Sequence, residues 1–563
     1  MKQFIPVSLR FTYFSIIVCL ISCNSQQSNP TSEVIKQLNL KRGAVISCGP
    51  TEAQFGSVDF DMTCDKNEKK DFNLAIELLH SFEYDESEKV FAKIIDATPD
   101  CAMAYWGVAM CSFHPLWNPP TETELAKGSN AINIAKSIPT KSAREAGYIN
   151  AIGLFYEDWK TKDHHTRCVN FENAMDKLHT SYPDDNEAAI FYALSLDAVA
   201  DPKDKTYARQ KKAGAILEAL YKSAPDHPGI VHYIIHTYDF PELAVLALPA
   251  ARRYAGVAPS SAHALHMPSH IFTRMGLWDE AILSNLKSIE AAKCYAESAD
   301  IPGHWDEELH GLDYLVYAYL QKGENMLAVK QVQYLASITK VYPVNFKVAY
   351  AFASIPSRYV LENKKWKEAA VLELRPGFSW DRFPWQEAII HFTRLLGAVN
   401  IHDLPSAKLE LAKLNLLRDT LKKQKDTYKS TEVAIQIIEG EAWIQFASGD
   451  RKGAVNKMQL AAAMEDSTGK HPVTPGEVLP ARELLGDMLL QMGKNPDALQ
   501  AYEAVLRQSP NRFNSLFGAG KAAEKASDKQ KAIYYFKHLV AITDPAGSNR
   551  QELAEVRKFL ELK

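Results

Sequence analysis

Three histidines fall within eight residues of "HALHMPSHIF": His263, His266 and His270. Upstream, "HYIIH" supplies His232 and His236. His232 to His266 is 34 residues, and so is His236 to His270. Residues four apart on a helix share one face, one turn apart. Helices in contact run about 8–10 Å apart, so imidazoles from neighbouring helices reach a shared space. In "HGLDYLVYAYLQKG", aligning Gly323 with Gly276 puts His310 at the place of His263 and Asp313 at the place of His266. Imidazoles aimed at one space repel when protonated and want a partner when neutral. A transition metal meets both conditions, and imidazole with carboxylate suits zinc, copper, iron or nickel. His232, His236, His266, His270, His310 and Asp313 are the candidate metal ligands.

Two other readings compete. Duplication copies residues, and histidines of a helical array are often satisfied core or groove groups. Alternatively, imidazolium groups with Arg274 or Arg252 hold an anion. Pro268 should kink the helix or start it anew, leaving His263 and His266 in the turn before it. Absent motifs narrow the chemistry. There is no HExxH and no GxSxG, and "FGAGKAAE" lacks the glycine spacing of a phosphate loop and a Ser or Thr after Lys521. The formal net charge is -4 with no basic block, which argues against a nucleic-acid partner.

The elements that must position these side chains are helical from about Phe72 onward. Near the C-terminus, Gly486, Ala498, Tyr502 and Pro510 are followed by Gly520, Ala532, Phe536 and Pro545. Ala498 to Ala532 and Tyr502 to Phe536 are each 34 residues. This is the spacing of the tetratricopeptide repeat (TPR), in which a small residue and an aromatic lock paired helices. Such pairs cannot bury their apolar faces alone, so they stack into a solenoid. The expected fold is all-α: a TPR-like α-solenoid of roughly nine or ten antiparallel helix pairs, wound into a superhelix with a concave groove. The stretches Lys160–His165 and Asp201–Tyr207 read as insertions. The expected divisions are a leader at 1–22, a tether with Cys48 and Cys64 at 23–70, and an N-terminal array with the histidine cluster at 71–345. Middle repeats follow at 346–475 and C-terminal repeats at 476–563.

Lys2, Arg10 and the apolar run Phe11–Ile21 read as an export signal. Leu20-Ile21-Ser22-Cys23 resembles a lipobox, which implies cleavage before Cys23 and lipid on its sulfur. The polar stretch "NSQQSNPTS" then serves as a tether. The expected location is the bacterial cell envelope, periplasmic or surface-exposed, with membrane contact through the lipid alone. An exported chain can form disulfides. Cys48 and Cys64 are expected to pair, whereas Cys101 and Cys111 sit about 15 Å apart on one helix, too far to bridge.

The blocks "LLHSFEYDESEKVF", "MAYWGVAMCSFHPLW", "HYIIHTYDFPELAVLALPAARRYAGVAP", "HALHMPSHIFTRMGLWDEAI", "FPWQEAIIHF" and "GKHPVTPGEVLPARELLGDMLLQMG" resemble a family of exported bacterial TPR proteins over roughly residues 70 to 540. "CSFHPLW" departs from that pattern, in which Asn more usually precedes the histidine. The resemblance implies no particular reaction. Because first helices line the groove of TPR proteins, it implies that His80, His114, His263 and Arg274 look into one channel. "KHPVTPGEVLP" is either a stiff connector or a segment that crosses the groove and delivers His471. Trp385 and His391 are expected to pack between helices or line the same channel. Two functions follow. One is a binder of a protein, peptide or small ligand in the groove. The other is a metal-dependent enzyme or metal-binding protein using the histidine cluster.

Overall fold

The computed structural model describes residues 1–3, 30–50, 54–543 and 548–561. Cys23 and its lipobox lie outside the described residues. The chain is an all-α, TPR-like solenoid of antiparallel helix pairs. The only strands among the described residues are His304–Trp305 and Val341–Tyr342, which pair in parallel. No described helix is long and apolar enough to cross a membrane.

The 34-residue lock works through close approach. Tyr502 is buried, and a Cβ on Gly486 or Gly518 would stand 2.8 Å or 2.4 Å from its ring. The glycines therefore let the helices Ala481–Gln491 and Phe513–Lys525 close on the helix Asn495–Gln508. There are twelve helix pairs among the described residues, more than the expected nine or ten. The two suspected insertions are only the turns inside ordinary pairs, joining Ala143–Tyr156 to His164–Ser181 and Asn186–Ala198 to Ala208–Tyr221.

Pro268 restarts the helix as expected, but His263 and His266 stand in a short helix before it rather than in a turn. Ala262–His266 is a short helix, and Pro268–Met275 begins directly after Met267. Gly276 ends the second helix at φ +65°, a conformation that costs glycine little. Its neighbour there is unexpected: a Cβ on Gly276 would lie 2.3 Å from the carbonyl oxygen of Pro510. Asn511 Nδ2 donates to Gly276 O at 3.0 Å, and Trp278 Nε1 donates to Asn511 O at 2.9 Å. The C-terminal repeats thus come back onto the middle of the array. Arg512 seals the closure, paired with Glu362 and with Glu483 (2.7 Å), all three buried.

The expected Cys48–Cys64 bridge does not form. Cys48 is bonded to Cys294 and Cys64 to Cys101. The segment before the first helices does not fold on itself. It runs along the array, with Val58 N bonded to Glu77, Phe60 buried against Phe72, Trp106 and Tyr148, and Thr63 N bonded to Glu145. Cys48 therefore meets a cysteine within the helix Trp278–Ser298, and Cys64 meets one directly before the helix Ala102–Cys111. Cys111 and Cys168 are free and buried.

Candidate metal centre

The helix Pro228–Thr237 begins with proline at its first turn and presents His232 and His236 on one face. The short helix Ala262–His266 supplies His263 and His266, and its restart supplies His270. The helix Asp306–Gln321 supplies His310. These rings do not converge on one point. They form two triads, His232–His236–His263 and His266–His270–His310. The triads adjoin: the rings of His236 and His270 are 6.4 Å apart between centroids.

In the first triad, His232 Nε2 lies 2.9 Å from His236 Nε2 and 3.1 Å from His263 Nε2. His232 Nδ1 is 2.6 Å from the carbonyl oxygen of His80, so it carries the proton and donates. That leaves its Nε2 as a bare lone pair. Phe82 packs on all three rings and Trp117 on His236. His232 is fully buried, whereas His236 and His263 are half-buried.

The second triad is buried throughout. His266 Nδ1 is 2.7 Å from Asn285 Oδ1, and Asn285 Nδ2 donates to Ala281 O at 2.8 Å, which fixes the amide's orientation. His270 Nδ1 is 3.1 Å from Asp239 Oδ2. Both Nδ1 atoms therefore donate, and two bare Nε2 atoms face each other at 3.2 Å. His310 completes the group, its ring 4.2 Å from that of His266. Tetrahedral coordination with metal–nitrogen bonds near 2.05 Å separates ligand nitrogens by about 3.3 Å, close to this spacing. Holding the outer nitrogen of each ring by a carboxylate or amide oxygen is the usual support of a metal-bound imidazole.

Burial, and then the charge of neighbouring histidines, holds His232, His236, His263, His266 and His310 well below the ordinary imidazole value. His270 is also lowered, by burial foremost, against the opposing pull of Asp239. Burial alone would raise Asp239. Lys470 and Arg274 reverse that and keep its carboxyl well below the usual range. Arg274 Nε donates to Asp239 Oδ1 at 2.8 Å and Lys470 Nζ lies 3.1 Å from Oδ2. Burial, then Arg274, brings Lys470 down to about 8.

Several expected site residues lie elsewhere. Asp313 is not in either triad. It faces the next helix, where its Oδ1 accepts from Ser354 Oγ at 2.7 Å and pairs with Arg358. Three residues beyond His310 is far enough round the helix to turn the side chain to that neighbour. Arg274 is committed to Asp239 and Arg252 to Glu280, so neither arginine serves an anion beside the histidines. His80 is buried in a third group, bonded to Glu187 Oε2 at 2.9 Å and to Tyr233 at 3.0 Å, with His227 on the other Glu187 oxygen at 2.7 Å. It reaches the first triad only through its backbone carbonyl. His114 pairs with Glu124 and packs on Tyr84. His391 is bonded to Glu410 and Glu387, away from the triads.

The "KHPVTPGEVLP" segment does cross the first helices. Gly476 O accepts from Arg358 Nη2 at 2.7 Å, and His471 sits among Phe346, Trp385 and Tyr428. The residue it brings to the site is Lys470, not His471. Asp239 and Asn285, bonded to the histidines, and Lys470, bonded to Asp239, are the side chains at this cluster that spacing did not single out. Asp239 lies three residues after His236, one turn further along the chain, and that is its one signal in the sequence.

The tetratricopeptide-repeat family matches residues 484–547. No curated protein matches the chain. Among solved structures, the chain is similar to a tetratricopeptide repeat protein from Parabacteroides merdae, with 15% identity over 53% of this chain and 98% of that one and a TM-score of 0.28. It is similar to the human IFIT1 dimer with PPP-AAAA, with 13% identity over 83% and 89% of the two chains and a TM-score of 0.34. It is also similar to the APC/C hetero-tetramer Cut9–Hcn1, with 12% identity over 88% and 96% and a TM-score of 0.25. The chain carries tetratricopeptide repeats at its C-terminal end, within an all-α solenoid of helix pairs.

Proposed function

We propose that the protein binds a transition metal through His266, His270 and His310. The observation that carries this reading is the pair of bare Nε2 atoms 3.2 Å apart, each held in that tautomer by its own acceptor, Asn285 or Asp239. Two lone pairs at that distance repel unless a proton or a metal cation lies between them, and burial opposes the protonated form of both rings. Three imidazoles suit zinc or copper first, with iron and nickel also compatible, and leave a coordination position open. There the metal would act as a Lewis acid or activate a bound small molecule. Metal analysis of the full chain purified from its native compartment tests this. Stoichiometric metal, lost in a His266→Ala/His270→Ala variant that still folds, is the expected result. A folded wild-type chain that is metal-free and takes up neither zinc nor copper would sink it.

Capture of a protein, peptide or small ligand on the concave face is the second reading, favoured by the helical-repeat architecture. The crossing segment fills that face beside the triads, so such a ligand would seat on other repeats. We also propose that Cys23 carries lipid and anchors the chain at the cell envelope. Incorporation of labelled fatty acid that disappears in Cys23→Ser would support it, and unlabelled wild-type protein would overturn it.

A further inference from the structure

We propose that the two histidine triads form one dinuclear centre, in which two ions share an anionic oxygen bridge. This rests on the metal reading of the second triad and extends it to the first. The basis is the juxtaposition of two His₃ sets on three consecutive first helices, with the rings of His236 and His270 6.4 Å apart between centroids.

Three observations carry it. The first is shared scaffolding. His263 belongs to one triad and His266 to the other, yet both stand on the five-residue helix Ala262–His266, one turn apart. That helix cannot place one triad without placing its neighbour. The second is parallel construction. Each triad contains an imidazole whose Nδ1 is tied to an acceptor, the His80 carbonyl in one and Asn285 and Asp239 in the other. Each therefore turns at least one bare Nε2 inward, 2.9–3.2 Å from the Nε2 of a neighbouring ring.

The third is charge. Neither triad contains a carboxylate. The carboxylate bonded to the second triad, Asp239, already faces Arg274 and Lys470. Two divalent ions here would bring positive charge that the protein leaves uncompensated. Two-metal sites hold their ions about 3.5–4 Å apart and commonly share an oxygen ligand. A bridging hydroxide, or an anionic oxygen donor of similar size, supplies the missing negative charge. It would arrive from the side of His236 and His263, the half-buried rings that lie under Phe82 and Trp117.

The test adds copper(II) to the metal-stripped full chain and follows bound copper and the electron paramagnetic resonance signal together. Two equivalents should bind. The integrated signal should fall well below two spins per chain, because a bridged pair couples. His236→Gln and His310→Gln, one from each triad, should each bind one equivalent and restore a signal near one spin. Circular dichroism and thermal unfolding of each variant establish that it is folded before its copper is counted. Two equivalents with two full spins would overturn the bridge and with it the dinuclear centre. One equivalent in wild type, unchanged by His236→Gln, would confine the metal to the second triad and leave the single-ion reading standing. No copper bound by a folded wild-type chain would overturn the dinuclear centre, and the single-ion reading falls with it if zinc is not taken up either.

Discussion

His266 and His270 face each other through their Nε2 atoms at 3.2 Å, while their Nδ1 atoms point in different directions to Asn285 and Asp239. Asn285 is therefore a positioning residue: it touches no ligand site directly and acts through His266. Asn285→Ala frees the ring to rotate and change tautomer. Losses of this kind reduce metal affinity by roughly 10–100-fold. Competition with a chromophoric chelator should show that loss, with Asn285→Asp, which keeps an acceptor oxygen, restoring most of it. Equal affinities for wild type and Asn285→Ala would show that the amide merely fills space.

The disulfides bind the N-terminal segment to Cys294, 246 residues further on, and to Cys101, 37 residues further on. Non-reducing digestion and mass spectrometry should recover Cys48 linked to Cys294 and Cys64 linked to Cys101. A Cys48–Cys64 peptide would contradict the fold described above. Removing a native bridge costs about 2–5 kcal/mol in small secreted domains, and the long loop closed by Cys48–Cys294 places it where chain entropy gives a large effect. Cys294→Ser should accordingly unfold at a clearly lower temperature than wild type under oxidising conditions. The gap should vanish when both are reduced.

Gly276 and Gly493 share a left-handed backbone, at φ +65° and +72°, but differ in what surrounds them. A Cβ at Gly493 meets nothing within 4 Å, whereas one at Gly276 collides with Pro510. Gly493→Ala should cost about 1–2 kcal/mol, the backbone penalty alone. Gly276→Ala should cost more, because the returning repeats must also shift. Equal losses in denaturant melts would mean that residues 276 and 510 are not in contact in solution.

His391 gives a pH signature away from the triads. Burial would lower its pKa, but bonds to Glu387 and Glu410 raise it above the ordinary value. A raised folded value means that protonation stabilises the fold. The contribution is complete below the unfolded value of about 6.5 and is lost as pH rises through the folded one. The stability difference between wild type and His391→Gln should be largest near pH 5 and shrink toward alkaline pH. A constant difference across that range would remove the ion pairs from the account.

Much of this architecture was legible in the sequence, because a repeat writes its packing into a fixed period. Ala498, Tyr502, Ala532 and Phe536 announce their own neighbours. The 34-residue offset of His232/His236 and His266/His270 announced that the rings share a face. It did not say whether they meet at one point or two. That depends on the short helix Ala262–His266, whose two histidines turn to different triads. Asp313 misled because repeat alignment matches backbone positions, whereas side-chain direction depends on which neighbour offers a partner, here Arg358. The disulfides misled for a related reason: proximity along the chain suggests a local loop, but the segment around Cys48 lies extended across helices. Lys470 and Asn511 were invisible because contacts across some 230 residues leave no period to read.

An open array of repeats frays from either end, since each unit leans only on the next. The contact of Asn511 with Gly276 removes that option. The C-terminal repeats cannot peel away without releasing the middle of the chain, so melting should proceed in larger cooperative blocks than a row of units predicts.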